Sequence, residues 1–324
     1  MLRYLALKVG RALFVVWAAF TVTFVLLFVL PADPVDLLFD PAELNTIPEH
    51  VREQVAASYG FDQPVFIQYL DRLGHAAVGD FGTSAQSGRD VVQAIGAVLP
   101  SSLLLAVGSL LLAIVAAFGI ALAATATRLR WLRDLLEALP TASVSVPVFM
   151  VGILLLQLFS FQLGWFPSFG DSGPLSIVLP LVALAIPVSG PIAQLLVRSF
   201  ADEFGSGYVT TSWAKGATRS RIIVGDVLRN ASLPALTIAG VTFGNLIAGA
   251  VITETVFARA GIGRLTQNAI STLDIPLVQG IVVFVAASFA VINLAVDLVY
   301  PLLDPRLRAS IQRPVARQPR GALA

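Results

Sequence analysis

Six stretches of this chain run for more than twenty residues without a single Asp, Glu, Lys or Arg: Ala12–Ala32, Val91–Thr127, Ala138–Gly170, Ser172–Val197, Ala231–Thr253 and Ile275–Val296. A helix needs about 20 such residues to cross the hydrocarbon of a bilayer. Each stretch is therefore read as a membrane helix, and the fold class is all-α integral membrane. Composition agrees, since 13% of residues are charged and mean hydropathy is +0.83, whereas a soluble domain carries about 25% charge to coat its surface.

The second and third stretches are longer than a bilayer requires, so each is expected to tilt or to include interfacial residues. The first exceeds the roughly 7–15 apolar residues of a signal peptide and has no small-x-small cleavage site, so it is read as a retained helix. Prolines punctuate the third (Pro140, Pro147) and the fourth (Pro174, Pro180, Pro187, Pro191). Such helices are tolerated where neighbours or water satisfy the freed carbonyls. In the fifth, Gly240 and Gly244 form a GxxxG that allows close helix approach, either within the chain or at a subunit interface.

With six spans both termini fall on one side. Sixteen of the 21 basic residues lie there, before the first span, between the second and third, between the fourth and fifth, and after the sixth. The positive-inside rule makes that side cytoplasmic. The opposite side holds Arg52, Arg72, Arg89, Arg259 and Arg264 and a segment of about sixty residues, Pro31 to Asp90. Within it IPEHVREQVAASYGFDQPVFIQYLDRL predicts two short helices, with Pro48 near a start and Gly60 near a stop. The chain is thus divided into 1–31 (N-terminus and first span), 32–90 (external segment), 91–303 (a five-helix core that includes a cytoplasmic loop, 198–232) and 304–324 (a basic tail).

Several chemistries lack their residues. Cysteine is absent, and the two histidines, His50 and His75, stand in no metal-binding motif. Neither lysine, in ALKVG or WAKGA, is followed by Ser or Thr, so there is no phosphate-binding P-loop. An ion-coupled carrier would be expected to show a midplane acid. The candidates Glu254 and Asp297 instead sit at the ends of charge-free runs. A net charge of +1 suggests no nucleic-acid partner. The chain is read as a passage, not an enzyme.

One segment breaks the apolar pattern, YVTTSWAKGATRSRIIVGDVLRNASLP, from Tyr208 to Pro234. Glycine is favoured just past a helix end, so Gly216 predicts a short helix from about Gly207 to Lys215, with Tyr208 and Trp213 as interfacial anchors. ATRSRIIVGDVLRN then predicts a second, basic amphipathic helix leading to Leu233-Pro234, the entry of the fifth span.

This segment resembles the cytoplasmic loop of permease subunits of ATP-binding cassette importers, in particular the dipeptide and oligopeptide permease B branch. Gly216 matches the glycine of the pattern and Leu233-Pro234 its close, while Thr210, Thr211 and Ser212 stand where the superfamily has Glu-Ala-Ala. YGFDQPVFIQYL, GDFGTSAQSGRDV, ETVFARAGIGRL, DIPLVQG and DPRLR resemble further stretches of that branch in the same order. The resemblance implies six helices of the type I importer permease kind in a bacterial cytoplasmic membrane. It implies a second, homologous permease as partner, one or two ATPase subunits that carry ATP and Mg, a periplasmic or extracellular substrate-binding protein, and no cofactor on this chain. Tyr208, Val209, Thr210, Thr211, Ser212, Trp213, Ala214, Lys215, Gly216, Ala217 and Thr218 would then form the ATPase-coupling loop. Glu254, at the external end of the fifth span, either hydrogen-bonds substrate amines or marks an interface. Di- and oligopeptides are the leading substrate class, with nickel, glutathione and haem as alternatives within the family.

Overall fold

The computed structural model describes residues 2–29, 48–59 and 63–303. The expected tail 304–324, the first part of the external segment and the side chain of Asp297 lie outside the described residues. The described chain is helical, as expected of a backbone that must satisfy its own polar groups in lipid. Helix α1 spans Leu2–Phe24 and continues as a wider π-type turn over Val25–Val29. Two short helices follow, α2 over Glu49–Tyr59 and α3 over Val65–Ala77, where the external segment was expected to carry them.

Helix α4, Val91–Ala126, is continuous over 36 residues, opened by Asp90, whose carboxylate accepts from the Gln93 amide at 2.9 Å. Such a cap satisfies one of the amides that a helix leaves unpaired at its start. Ala106, Ser109, Ala113, Ala117 and Ala121 form a buried stripe on one face of α4 at helical spacing. Against it lies α7, Val178–Phe204, the most extensive helix pair in the molecule. The approach is close enough that a Cβ at Gly108 would stand 2.7 Å from Leu181 Cδ2. α7 also packs on α5 (Arg130–Ser145), α6 (Val148–Leu155) and α10 (Leu228–Val256), so it is the central post of the bundle.

The third charge-free stretch is not one tilted span. It is broken, with α5 and the α6 segment through Gln162 meeting at 105°. Pro147 causes the break, because it lacks an amide hydrogen and its ring drives the preceding residue out of the helical region. Val146 accordingly sits at φ −97°, ψ 124° and Pro147 at ψ 140°. By length and composition four described helices are apolar enough to cross a membrane, and the bent pair makes a fifth. The remaining expected span lies within α10, a continuous helix of 29 residues.

After α7 the chain forms α8, Gly207–Ala214, and α9, Arg219–Arg221. The predicted second basic helix is not separate from the fifth span. α9 passes through a π-type turn at Ile222–Val227 straight into α10, so Leu233 and Pro234 lie inside a helix, not at its entry. Ile222, Ile223 and Val227 are buried with Ile192, Leu196 and Phe200 of α7. Burial of that apolar face favours continuation of the helix over a break. α11 (Ile262–Ser271) and α12 (Ile275–Leu303) complete the fold, and α12 returns along α1.

Candidate functional site

The short helix expected from about Gly207 to Lys215 is present as Gly207–Ala214. It ends where the glycine is, Gly216 adopting φ +77°, a left-handed conformation that costs a residue with a Cβ about 1–2 kcal/mol. No atom lies within 4 Å of where a Cβ at Gly216 would stand, so its requirement is conformational and not one of space. The Gly216 and Ala217 amides return to the Trp213 and Ser212 carbonyls at 2.9 and 3.1 Å, which closes the helix end.

One side of α8 is fastened down. Val209 is 2% exposed and joins the apolar cluster of α4, α7 and the 222–227 turn. Ser212 Oγ donates to Asp226 Oδ2 at 2.9 Å, and Trp213 packs edge-on against Phe204 at 6.5 Å. The Tyr208 hydroxyl donates to Glu203 Oε2 at 2.6 Å. Loss of solvent around the Tyr208 phenol and its bond to Glu203 push its pKa above the ordinary value. The other side is open, with Thr210, Thr211, Ala214 and Lys215 all exposed. Thr211 and Lys215 are four apart and therefore share a face. Ala217 packs partly against the apolar cluster, and Thr218 precedes α9 in an extended conformation.

Two residues of this site carry no signal in the loop pattern. Arg219 sends its NH2 group to the Thr125 carbonyl at 2.6 Å, at the end of α4, while its guanidinium lies 5.3 Å from the Phe204 ring centre. Asp226 accepts from Ser212. In the sequence Arg219 is one arginine among several that satisfy positive-inside, and nothing there marks it as the one that turns inward.

Glu254 stands at the far end of α10, about 40 Å from Asp226 at 1.5 Å per residue. It is at the expected end of the helix, but its carboxylate is occupied by its own chain. It is 1% exposed, with Ser102 Oγ donating to Oε1 at 2.6 Å and the Gly263 amide to Oε2 at 2.7 Å. Ser102 Oγ in turn accepts from the Ile262 amide at 2.8 Å. A Cβ at Gly261 would collide with this carboxylate, and one at Gly263 with the backbone of Val251. The glycines of ETVFARAGIGRL are thus the room that Glu254 needs.

Beside it Arg259, 6% exposed, pairs with Asp171 at 2.6 Å and donates to Ser176 and Ser101 at 3.3 Å each. A third knot lies at the start of α12, where Asp274 accepts from Ser84 Oγ at 2.5 Å and from the amides of Ala85 and Leu277 at 3.1 and 3.3 Å. These three knots bind together, at the end remote from α8, segments far apart in sequence. In two of them a serine hydroxyl donates to a buried carboxylate, which ties the segments together. Among the described residues no group of His, Asp and Glu could hold a metal ion.

The chain matches the model of the binding-protein-dependent transport system inner membrane component over residues 116–309. It is 34% identical over 285 residues to the glutathione transport system permease protein GsiC of Salmonella typhimurium strain LT2, covering 88% of this chain and 92% of that one. The GsiC of Escherichia coli strain K12 is 32% identical over the same shares. In two inward-facing crystal forms of the MetNI methionine ABC transporter, a chain superposes with TM-scores of 0.53 and 0.55 at 16% and 17% identity. Those superpositions cover 66% and 65% of this chain and 97% of the other. At that identity the likeness concerns the fold, which is the type I importer permease fold. With α8, its glycine stop and the surrounding bundle in place, and with relatives matched over most of its length, this chain belongs to the family of binding-protein-dependent transport system inner membrane components, the membrane-spanning permease subunits of ABC importers.

Proposed function

We propose that this chain forms half of a passage for small peptides, and that α8 is the lever through which an ATPase subunit moves it. The observation that carries the reading is the two-sidedness of α8. Val209 and Ser212 fix it to the bundle, while Thr210, Thr211, Ala214 and Lys215 are exposed among the described residues. A bundle without an energy source can move substrate uphill only if a partner binds its two states with different affinity. A short helix held rigidly on one side and open on the other suits such a partner.

In this reading the α8 end faces the cytoplasm, as the arginine distribution supports. ATP and Mg belong to ATPase subunits, a second permease completes the passage, and a binding protein delivers substrate at the opposite end. Glutathione is the first substrate to test, because relatives that match most of the chain include glutathione transport system permeases. Other di- and oligopeptides follow. The test is gentle extraction of the tagged chain with its native membrane, mass spectrometry of what accompanies it, and uptake of labelled glutathione and dipeptides after reconstitution. Recovery of an ATPase, a second permease and a binding protein, with ATP-dependent uptake, is expected. Transport by this chain alone would overturn the reading.

A further inference from the structure

Helix α5 carries three faces, each set by helical spacing. Leu132, Leu136, Pro140 and Ser143 are buried or half-buried and turn toward the bundle. There α5 crosses α7 so closely that a Cβ at Gly190 would stand 2.8 Å from the Pro140 carbonyl oxygen. Trp131, Leu135 and Leu139 form an apolar outer face. Glu137, Thr141 and Ser145 repeat the same four-residue step on a second outer face, and all three are exposed and polar. At 3.6 residues per turn the two outer faces are about 120° apart, so they meet different surroundings.

The polar face reaches membrane depth. Gln194 Nε2 of α7 donates to Thr141 Oγ1 at 3.4 Å. Within α7, Val178–Phe204, Gln194 lies about 24 Å from one end and about 15 Å from the other. α7 is one of the helices long and apolar enough to cross a membrane, so this pair falls inside a hydrocarbon layer about 30 Å thick. Lipid suits Trp131, Leu135 and Leu139 but offers no hydrogen-bond partner to a hydroxyl or a carboxamide. At the start of α5, Arg133 Nε donates to Glu137 Oε1 at 2.8 Å, which offsets the charge there. Beyond that pair Thr141, Ser145 and Gln194 are neutral. A wall of neutral hydrogen-bonding groups holds a polar cargo weakly enough to release it, as conduction requires.

We infer that the stripe of Glu137, Thr141 and Ser145 on α5, with Gln194 of α7, is part of the wall of a water-filled passage, and that Thr141 and Gln194 touch a hydrophilic cargo as it crosses. The inference deepens the proposed passage and rests on it, but it depends neither on the lever role of α8 nor on which small peptide is carried.

The chain has no cysteine, so a single substitution supplies its sole thiol. Thr141→Cys, Ser145→Cys and, on the apolar face, Leu139→Cys are expressed in the native membrane with the subunits that accompany the chain. Open membrane fragments, accessible from both sides, are treated with a charged methanethiosulfonate that does not enter lipid, and the label on the purified chain is followed by mass spectrometry. Thr141→Cys and Ser145→Cys should react at least about tenfold faster than Leu139→Cys, because the thiolate is the reactive form and an apolar setting raises a thiol pKa by a unit or more. Ser145→Cys decides the matter if Thr141→Cys fails to accumulate. In sealed vesicles, labelled Thr141→Cys should lose the ATP-dependent uptake that the unlabelled variant shows. Fast labelling of both polar positions would support the wall even if glutathione and dipeptides were not carried, in which case the cargo alone would be wrong. Labelling as slow as that of Leu139→Cys would overturn the inference. So would labelling that becomes fast only when the chain is stripped of its partners in detergent, since another helix would then cover the stripe.

Discussion

Arg219 closes the end of α4 by donating to the Thr125 carbonyl at 2.6 Å, across 94 residues of sequence. The last carbonyls of a helix have no partner within it, and a cation there also meets the negative end of the helix dipole. The bond therefore joins the segment that follows α8 to the longest helix of the bundle.

If that joint transmits motion, Arg219→Ala should reduce uptake several-fold while leaving the chain in the membrane and the ATPase bound. Its cost in thermal stability should be about 1–3 kcal/mol, the usual range for removing one partner of a buried charged hydrogen bond. Arg219→Lys keeps the charge but not the planar fork, so it should recover stability more fully than uptake. Wild-type uptake by Arg219→Ala would confine the residue to a structural role.

Gly216 separates conformation from contact, because its φ is +77° and a Cβ there would touch nothing. Gly216→Asn should be tolerated, since asparagine enters the left-handed region more readily than other residues. Gly216→Val, β-branched, should displace α8 and abolish uptake without changing how the binding protein holds its substrate. Uptake assays on the two variants at matched membrane levels check this, and equal activities would remove the argument from backbone conformation.

At the opposite end, Glu254→Gln should destabilise the chain by about 1–3 kcal/mol. Both carboxylate oxygens accept bonds, from Ser102 and from the Gly263 amide, and glutamine keeps one accepting oxygen but puts in place of the other an NH2 that cannot accept. Gly261→Ala should be worse, because its Cβ would occupy the space of the carboxylate. Thermal unfolding in detergent should rank wild type above Glu254→Gln and Glu254→Gln above Gly261→Ala. The reverse order would mean that the loop relaxes around the extra methyl.

The helices of this bundle were legible because charge-free length is a one-dimensional property, and so was α8, which a glycine announces. The break at Pro147 was visible as a proline, yet two of the four prolines of the fourth stretch, Pro187 and Pro191, lie inside α7 and leave it unbroken. What distinguishes the cases is tertiary, since α7 has neighbours on several sides while Val146 and Pro147 turn a corner. Glu254 was legible as a charge at a helix end but not as a buried one. Its partners, Ser102 and Gly263, lie 152 and 9 residues away, and nothing in a single sequence pairs them. The merging of the basic segment with α10 was missed because arginines mark a loop by composition, whereas Ile222, Ile223 and Val227 mark a buried face by position.

The bond from Ser212 Oγ to Asp226 Oδ2, at 2.9 Å, is the polar tie between α8 and the π-type turn that leads into α10. Such turns occur often at functional sites, and this one lies where a push on α8 would enter the fifth span. A double-mutant cycle with Ser212→Ala and Asp226→Ala should therefore give a coupling of about 0.5–1.5 kcal/mol in thermal unfolding, the net worth of a hydrogen bond. In uptake the two single variants should fall to similar levels, and the double variant no further, because either change severs the same tie. Strictly additive losses in both measurements would mean that Ser212 and Asp226 act separately, leaving Val209 and the Trp213 to Phe204 contact to carry the motion of α8.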